Sequence, residues 1–273
     1  MKIGSVVRNM GEQATRACVL ECAKHAETMS LDHIWTVDHI AIPPDDAEGS
    51  LGRYLDPLAT LAFLAAATQK ISLGVAVLVL PYRAALPTAK WISTIQELSD
   101  HRLILGAGCG WMAPEFKALG IPRERRGAIT DETLEQFQNY FGAQDDVAEA
   151  NGQPFLFRPR PPTPPIYVGG MHDAALRRAA RFGDGWIPLG LDLNKLQGKI
   201  EKLTEFSREN KRQTPEVIVM GGLSDSDSEL ADTLARARQL GVTQFIHSDR
   251  YEDERAFGHI CERLANIRER LAT

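Results

Sequence analysis

Short, mainly apolar runs alternate along the chain with longer stretches whose apolar positions recur at helical spacing. IGSVV (3–7) precedes ATRACVLECAKHAETM (14–29), and HIWTV (33–37) precedes DPLATLAFLAAAT (56–68). ISLGVAVLV (71–79) precedes LPTAKWISTIQELS (86–99). RLILG (102–106) precedes a short helix near 113–119 and a second one over ITDETLEQFQNYF (129–141). PIYVG (165–169), GWIPL (185–189), EVIVM (216–220) and TQFIH (243–247) each precede a further helical stretch, the last being 253–271. That makes eight strand–helix units.

Alternating strands and helices specify a parallel sheet covered by helices. The strands are apolar on both faces, as buried parallel strands are. Eight regular units with no second domain favour a closed (β/α)8 TIM barrel, a single α/β domain over 1–273, above an open doubly wound sheet. The stretch 142–165 breaks the pattern, with five prolines in its last seven residues. It reads as an irregular Pro-rich surface excursion before the fifth strand. No internal repeat of fixed period is present.

The second helix departs from the pattern differently. Asp56 is placed to cap it and Pro57 to open it. LATLAFLAAAT is apolar nearly all round, whereas a barrel helix needs one polar face. A homodimer through helix 56–68 is therefore expected, and a monomeric mass in solution at micromolar concentration would exclude it.

Composition narrows the function classes. The 273 residues are 44% hydrophobic and 25% charged, with a formal net charge of −5. No basic surface for nucleic acid is implied. The N-terminus, MKIGSVVRNM, runs straight into a strand without the apolar core of a signal peptide. The longest apolar run, 58–67, is too short to span a bilayer. Cys18, Cys22, Cys109 and Cys261 lack metal-ligand spacing, so no metal site is expected, and sparse thiols suit a reducing cytoplasm.

Candidate chemistry gathers at strand ends. LILGAGCGWMAPEF (103–116) carries Gly106, Gly108 and Gly110 after a strand. A dinucleotide fingerprint would need a third glycine where Trp111 stands and a strand, not a helix, after it. The cluster is then either a tight turn or a loop that lets backbone approach a flat ligand. Asp38-His39 ends the second strand, as a strand cap or as a proton-handling pair. Gly169-Gly170 precedes a helix, as a close-packed turn or as backbone N–H groups for a cofactor phosphate.

Together these segments resemble the luciferase-like flavin and deazaflavin oxidoreductases, in particular the coenzyme F420-dependent branch. The resemblance rests on WTVDH (35–39), LGVAVLVLPYR (73–83), LPTAKWISTIQELSDHRLILGAGCGW (86–111), RRGAITDETLE (125–135) and PPIYVGGMHDAALRRAARFGDGWIP (164–188). Beyond residue 190 it is architectural. It implies a (β/α)8 barrel with the cofactor at the C-terminal mouth. It implies that Asp38 and His39 line the ring, with His39 as proton donor or acceptor and Asp38 holding ring or histidine hydrogen bonds. A bulge with a non-prolyl cis bond at Ala76–Val77 would back the ring. Cys109, Gly110 and Trp111 would flank the cofactor, and Gly169, Gly170 and Met171 would hold its phosphate end. The implied reaction is hydride transfer between F420 and a small organic substrate. The alternatives are an FMN-dependent monooxygenase and a barrel that binds flavin without catalysis. Two positions depart from relatives: Trp111 stands where some carry a catalytic glutamate, and Ile129 replaces an arginine, while Arg125 and Arg126 remain.

Overall fold

The computed structural model describes residues 1–47, 49–142, 146–190 and 192–272. The first half contains β1 (Lys2–Val6), α1 (Arg16–Thr28), β2 (His33–Thr36), α2 (Pro57–Ala67), β3 (Ser72–Val79), α3 (Ala85–Leu98) and β4 (Leu103–Gly108). α4 (Ala113–Ala118), α5 (Arg126–Gly142), β5 (Val147–Ala150) and β6 (Gln153–Leu156) follow. The second half contains β7 (Ile166–Gly169), α6 (Asp173–Phe182), β8 (Gly185–Ile187), α7 (Leu193–Glu209), β9 (Glu216–Gly221), α8 (Asp227–Gln239), β10 (Val242–His247) and α9 (Glu254–Ala272). Eight parallel strands close into a barrel in the order β1-β10-β9-β8-β7-β4-β3-β2. The expected (β/α)8 barrel is what the chain forms.

Side-chain alternation divides each strand between two cores. Ile3, Ile34, Val219 and Phe245 face outward into the layer beneath the helices. Val6, Trp35, Tyr167, Ile187, Ile218 and Ile246 point inward and fill the barrel. Large rings fit inside because the neighbouring strand carries glycine at the paired position. A Cβ on Gly74 would lie 2.3 Å from Trp35, and one on Gly185 would lie 2.0 Å from Tyr167. Burying each large apolar side chain contributes about 1.5–3 kcal/mol. The inside of the barrel is thus a packed plug with an open end, not a channel.

Helix α2 begins as its sequence specifies. The Asp56 carboxylate accepts from Ala59 N, and Pro57 opens the first turn. Leu58, Leu61 and Leu64 are buried against the barrel, while Ala59 and Ala66 are exposed. Among the described residues no helix is long and apolar enough to cross a membrane.

The excursion at 142–165 is not irregular throughout; its residues 143–145 lie outside those described. β5 and β6 form an antiparallel hairpin turned by Asn151 (φ 51°) and Gly152 (φ 75°). An Asn-Gly pair tolerates two consecutive left-handed residues, which is what a tight hairpin requires. That signal outweighs Pro154, which lies within β6, and the other prolines come only beyond residue 158. There the chain forms neither strand nor helix, and the carbonyls of Arg158, Pro159 and Pro162 accept from Lys90, Ser93 and Gln96 on α3.

Candidate active site

The C-terminal mouth is shaped first by a bulge in β3. Val75 pairs with Leu105 and Leu78 with Ala107, so β3 carries one residue more than β4 over this span. The Ala76–Val77 peptide bond at the bulge is cis, as the family resemblance implies. Val77 turns across the mouth and takes the side-chain space of its neighbours. A Cβ on Gly108 would lie 2.3 Å from Val77 Cγ2, and one on Gly169 would lie 2.8 Å from Val77 Cγ1. A Cβ on Gly106 would meet the Val75 carbonyl at 2.0 Å. Gly106 and Gly108 are therefore there for the bulge. Gly110 serves the turn instead, since its φ of +72° sends the chain outward after β4.

Ala76 and Val77 remain half-buried, and with Val37 and Met220 they rest on the plug inside the barrel. They make an apolar floor that solvent can reach. Trp111, 61% exposed, stands at the rim beside Cys109 and Gly110.

His39 follows β2 at the same end of the barrel and is fixed by a residue that the sequence pattern does not single out. Its Nδ1 lies 2.8 Å from Glu115 Oε2, on α4. Glu115 is completely buried. Its other oxygen accepts from the backbone N–H groups of Ile40 (2.6 Å) and Ala41 (2.9 Å). The Tyr82 hydroxyl donates to Oε2 at 2.8 Å. Burial alone would raise the Glu115 carboxyl. The hydrogen bonds from His39, Ala41, Ile40 and Tyr82 outweigh it and hold the group at about 2. Burial and the same carboxylate push the Tyr82 phenol well above its ordinary value, so it stays a donor. An ionised carboxylate can only accept, so the bond fixes the His39 proton on Nδ1. Nε2 is then the atom that can exchange a proton. The ring is held from the side by Tyr54 (centroids 5.1 Å apart) and Trp111 (6.1 Å).

Asp38 has a different place from the one expected. Its carboxylate receives two hydrogen bonds from Arg83 (2.7 and 2.9 Å) and one from Val79 N (2.8 Å). Arg83 also reaches Asp56, the cap of α2 (2.8 Å). Asp38 thereby ties the end of β2 to the end of β3, and the histidine hydrogen bond assigned to it belongs to Glu115. The physical reason is alternation. Successive side chains at a strand end point opposite ways, so Asp38 and His39 cannot both face one ligand.

The glycine pair at the end of β7 also differs in detail. Gly170 N–H is already donated to Ile187 O (3.2 Å), and Gly170 O accepts from Trp186 Nε1 (2.7 Å). It is not a free anion donor. The first turn of α6 lies beyond it, after Met171 and His172. Asp173 there is paired with Lys199 (3.0 Å) and Lys202 (2.7 Å). Cys109 lies beside Arg178, which Asp131 on α5 holds at 2.6 Å. Arg125 contacts Glu132 (3.1 Å), and Arg126 donates to the carbonyl of Arg123 (3.1 Å).

The other strand-end histidine is structural. His247, which ends β10, is buried between Ser5 (2.9 Å) and Asp249 (3.2 Å), and burial lowers its pKa.

An apolar floor, glycine-lined walls and one histidine of fixed tautomer suit a flat conjugated ring with a proton to exchange. The chain is also similar to known proteins. The model of the luciferase-like monooxygenase family matches residues 1–272. An uncharacterized protein of Mycobacterium tuberculosis is 30% identical over 242 residues, covering 82% of each chain. The FMNH2-dependent dimethylsulfone monooxygenase of Pseudomonas putida is 26% identical over 198 residues, covering 67% of this chain and 54% of its own. Among solved structures, an F420-dependent secondary alcohol dehydrogenase in complex with an F420-acetone adduct superposes with a TM-score of 0.80 at 16% identity. That match covers 97% of this chain and 98% of the other.

Proposed function

The chain belongs to the luciferase-like monooxygenase family, and from that premise we propose that it is an F420-dependent oxidoreductase acting on a small organic substrate. The observation that carries the proposal is the His39–Glu115 pair at 2.8 Å, at the barrel end where Ala76 and Val77 are half-buried. F420, when bound, supplies a ring carbon that accepts or delivers a hydride. The protein's part is to hold and to move a proton. Ala76 and Val77 would support the ring, and Cys109, Gly110 and Trp111 would flank it. The segment around Gly169, Gly170 and Met171 borders its phosphate end, with the first turn of α6 behind it.

Hydride transfer at a carbon that bears oxygen or nitrogen also requires a proton to leave or arrive. His39 Nε2 meets that need, because Glu115 fixes the tautomer and steadies the imidazolium when it forms. Asp38 acts at a distance, by holding the ends of β2 and β3 together through Arg83. Tyr54 and Trp111 pack against the His39 ring and hold its orientation. An FMN-dependent monooxygenase is the second reading, favoured by the likeness to the dimethylsulfone monooxygenase.

Turnover separates these readings. Oxidised and reduced F420 are each mixed with a panel of alcohols, aldehydes, ketones and imines, and the cofactor absorbance is followed. A substrate-dependent change without oxygen is expected. Oxygen-dependent consumption of reduced FMN would instead support the monooxygenase, and binding of either cofactor without turnover would support a non-catalytic barrel.

A further inference from the structure

Helix α1 carries two thiols that the proposed proton chemistry does not use. Cys18 and Cys22 stand four positions apart and so share one face of the helix. Their sulfurs lie 3.9 Å from each other and are buried. Cys22 is completely buried, and Cys18, 7% exposed, is the one nearer solvent. Cys18 belongs to the first turn, where its N–H donates to the capping hydroxyl of Thr15 (3.2 Å). Tyr251 and, on α9, Cys261 are further neighbours of Cys22.

The two sulfurs are not equivalent. The hydrogen bond from Cys22 lowers the Cys18 thiol, against burial and the nearby carboxylates of Glu254 and Asp253. The same bond, together with burial, pushes the Cys22 thiol up, and a hydrogen bond from Tyr251 offsets only part of that. Cys18 is therefore the nucleophile and Cys22 the proton donor beside it. The helix limits what the pair can become. Residues four apart hold their Cβ atoms about 5–6 Å from each other, whereas a disulfide needs about 3.5–4.5 Å. The sulfurs can bond only if the first turn of α1 opens at Cys18. That end opens most easily, because the first N–H groups of a helix have no partner within it. A disulfide made this way is strained, and strained disulfides are readily reduced again.

We propose that Cys18 and Cys22 are a reversible redox pair, which hydrogen peroxide oxidises to a disulfide within α1. The Cys18 sulfur attacks one peroxide oxygen, the O–O bond breaks, and the other oxygen leaves as hydroxide, which takes up the proton Cys18 released. Cys18 is then a sulfenic acid. The Cys22 sulfur attacks the Cys18 sulfur, the S–S bond forms, and the sulfenic oxygen leaves as water with the Cys22 proton. Two thiols are oxidised, and one peroxide is reduced to two waters. The pair needs no bound cofactor. Cys109, the half-buried thiol at the mouth, lies beside Arg178 instead of a second thiol and serves as the internal comparison.

Trypsin cuts after Arg16 and Lys24, so residues 17–24 carry both thiols on one peptide. The folded protein is treated with hydrogen peroxide, denatured, alkylated, digested and weighed by mass spectrometry. The peptide is expected without alkyl groups and lighter by a pair of hydrogen atoms. Dithiothreitol before alkylation should restore its doubly alkylated form. Cys22→Ser is expected to leave Cys18 as a sulfenic acid that dimedone traps. Hydrogen exchange at the Cys18 and Val19 N–H groups should be several-fold faster in the oxidised protein, because their bonds to Thr15 are given up. A peptide still doubly alkylated at peroxide concentrations that oxidise Cys109 would overturn the proposal. So would a sulfinic acid on Cys18 beside a free Cys22, a disulfide joining two chains, no dimedone adduct in folded Cys22→Ser, or unchanged exchange on oxidation. Should Cys22→Ser not fold, the peptide from the unaltered protein decides alone.

Discussion

Glu115→Ala is expected to lower the unfolding free energy by about 3–5 kcal/mol, the usual cost of breaking a buried charged network from one side. The substitution would strand the N–H groups of Ile40 and Ala41, the Tyr82 hydroxyl and His39 Nδ1 at once. The pH dependence follows from the same carboxylate. Its pKa in the folded protein is about 2, below the ordinary 4.5. A depressed carboxyl stabilises fully above its unfolded value and loses that contribution as pH falls through the folded one. The wild type is therefore expected to lose about 3 kcal/mol between roughly pH 5 and pH 2 through this group. Glu115→Ala should show no such share. Urea unfolding of both proteins at neutral and acidic pH measures the difference. Equal midpoints at neutral pH would mean that the network contributes nothing to stability.

His39→Ala is expected to cut turnover by about 10²- to 10⁴-fold, the range for losing a general acid or base. Binding of the cofactor should change far less, because the floor formed by Ala76 and Val77 stays in place. Steady-state rates and cofactor dissociation constants measured on the same variant separate the two effects. Glu115→Gln refines the test. It keeps the size of the side chain but can donate as well as accept, so the His39 tautomer is no longer fixed and turnover should fall while the fold is kept. Unchanged turnover in His39→Ala would remove the proton role from this residue.

The barrel is legible in the sequence because its signals are periodic. Alternating apolar runs and helical stretches specify eight units, and the capped start of α2 at Asp56-Pro57 is a local signal with a local cause. The hairpin at 147–156 is marked just as locally by Asn151-Gly152, but the prolines after it point to irregularity and mask the turn. Site residues are legible only in part. His39 is marked by its place at a strand end. Its partner Glu115 is not, because an acid in a first helical turn is ordinarily a solvated complement to the helix dipole. Only the fold carries α4 back over the end of β2 and buries that carboxylate. Asp38 shows the reverse. It neighbours His39 in sequence, yet alternation sends it to Arg83, 45 positions further along the chain. Gly106 and Gly108 carry the same lesson. They make room for the bulge at Val75–Val77, on another strand, so no local motif could have explained them.

Fluorescence titration with F420 and with FMN tests the central claim most directly, since it asks what the mouth over Ala76–Val77 holds. Saturable binding of F420, at least about tenfold tighter than that of FMN, is the expected result. Tight FMN binding with no uptake of F420 would contradict it.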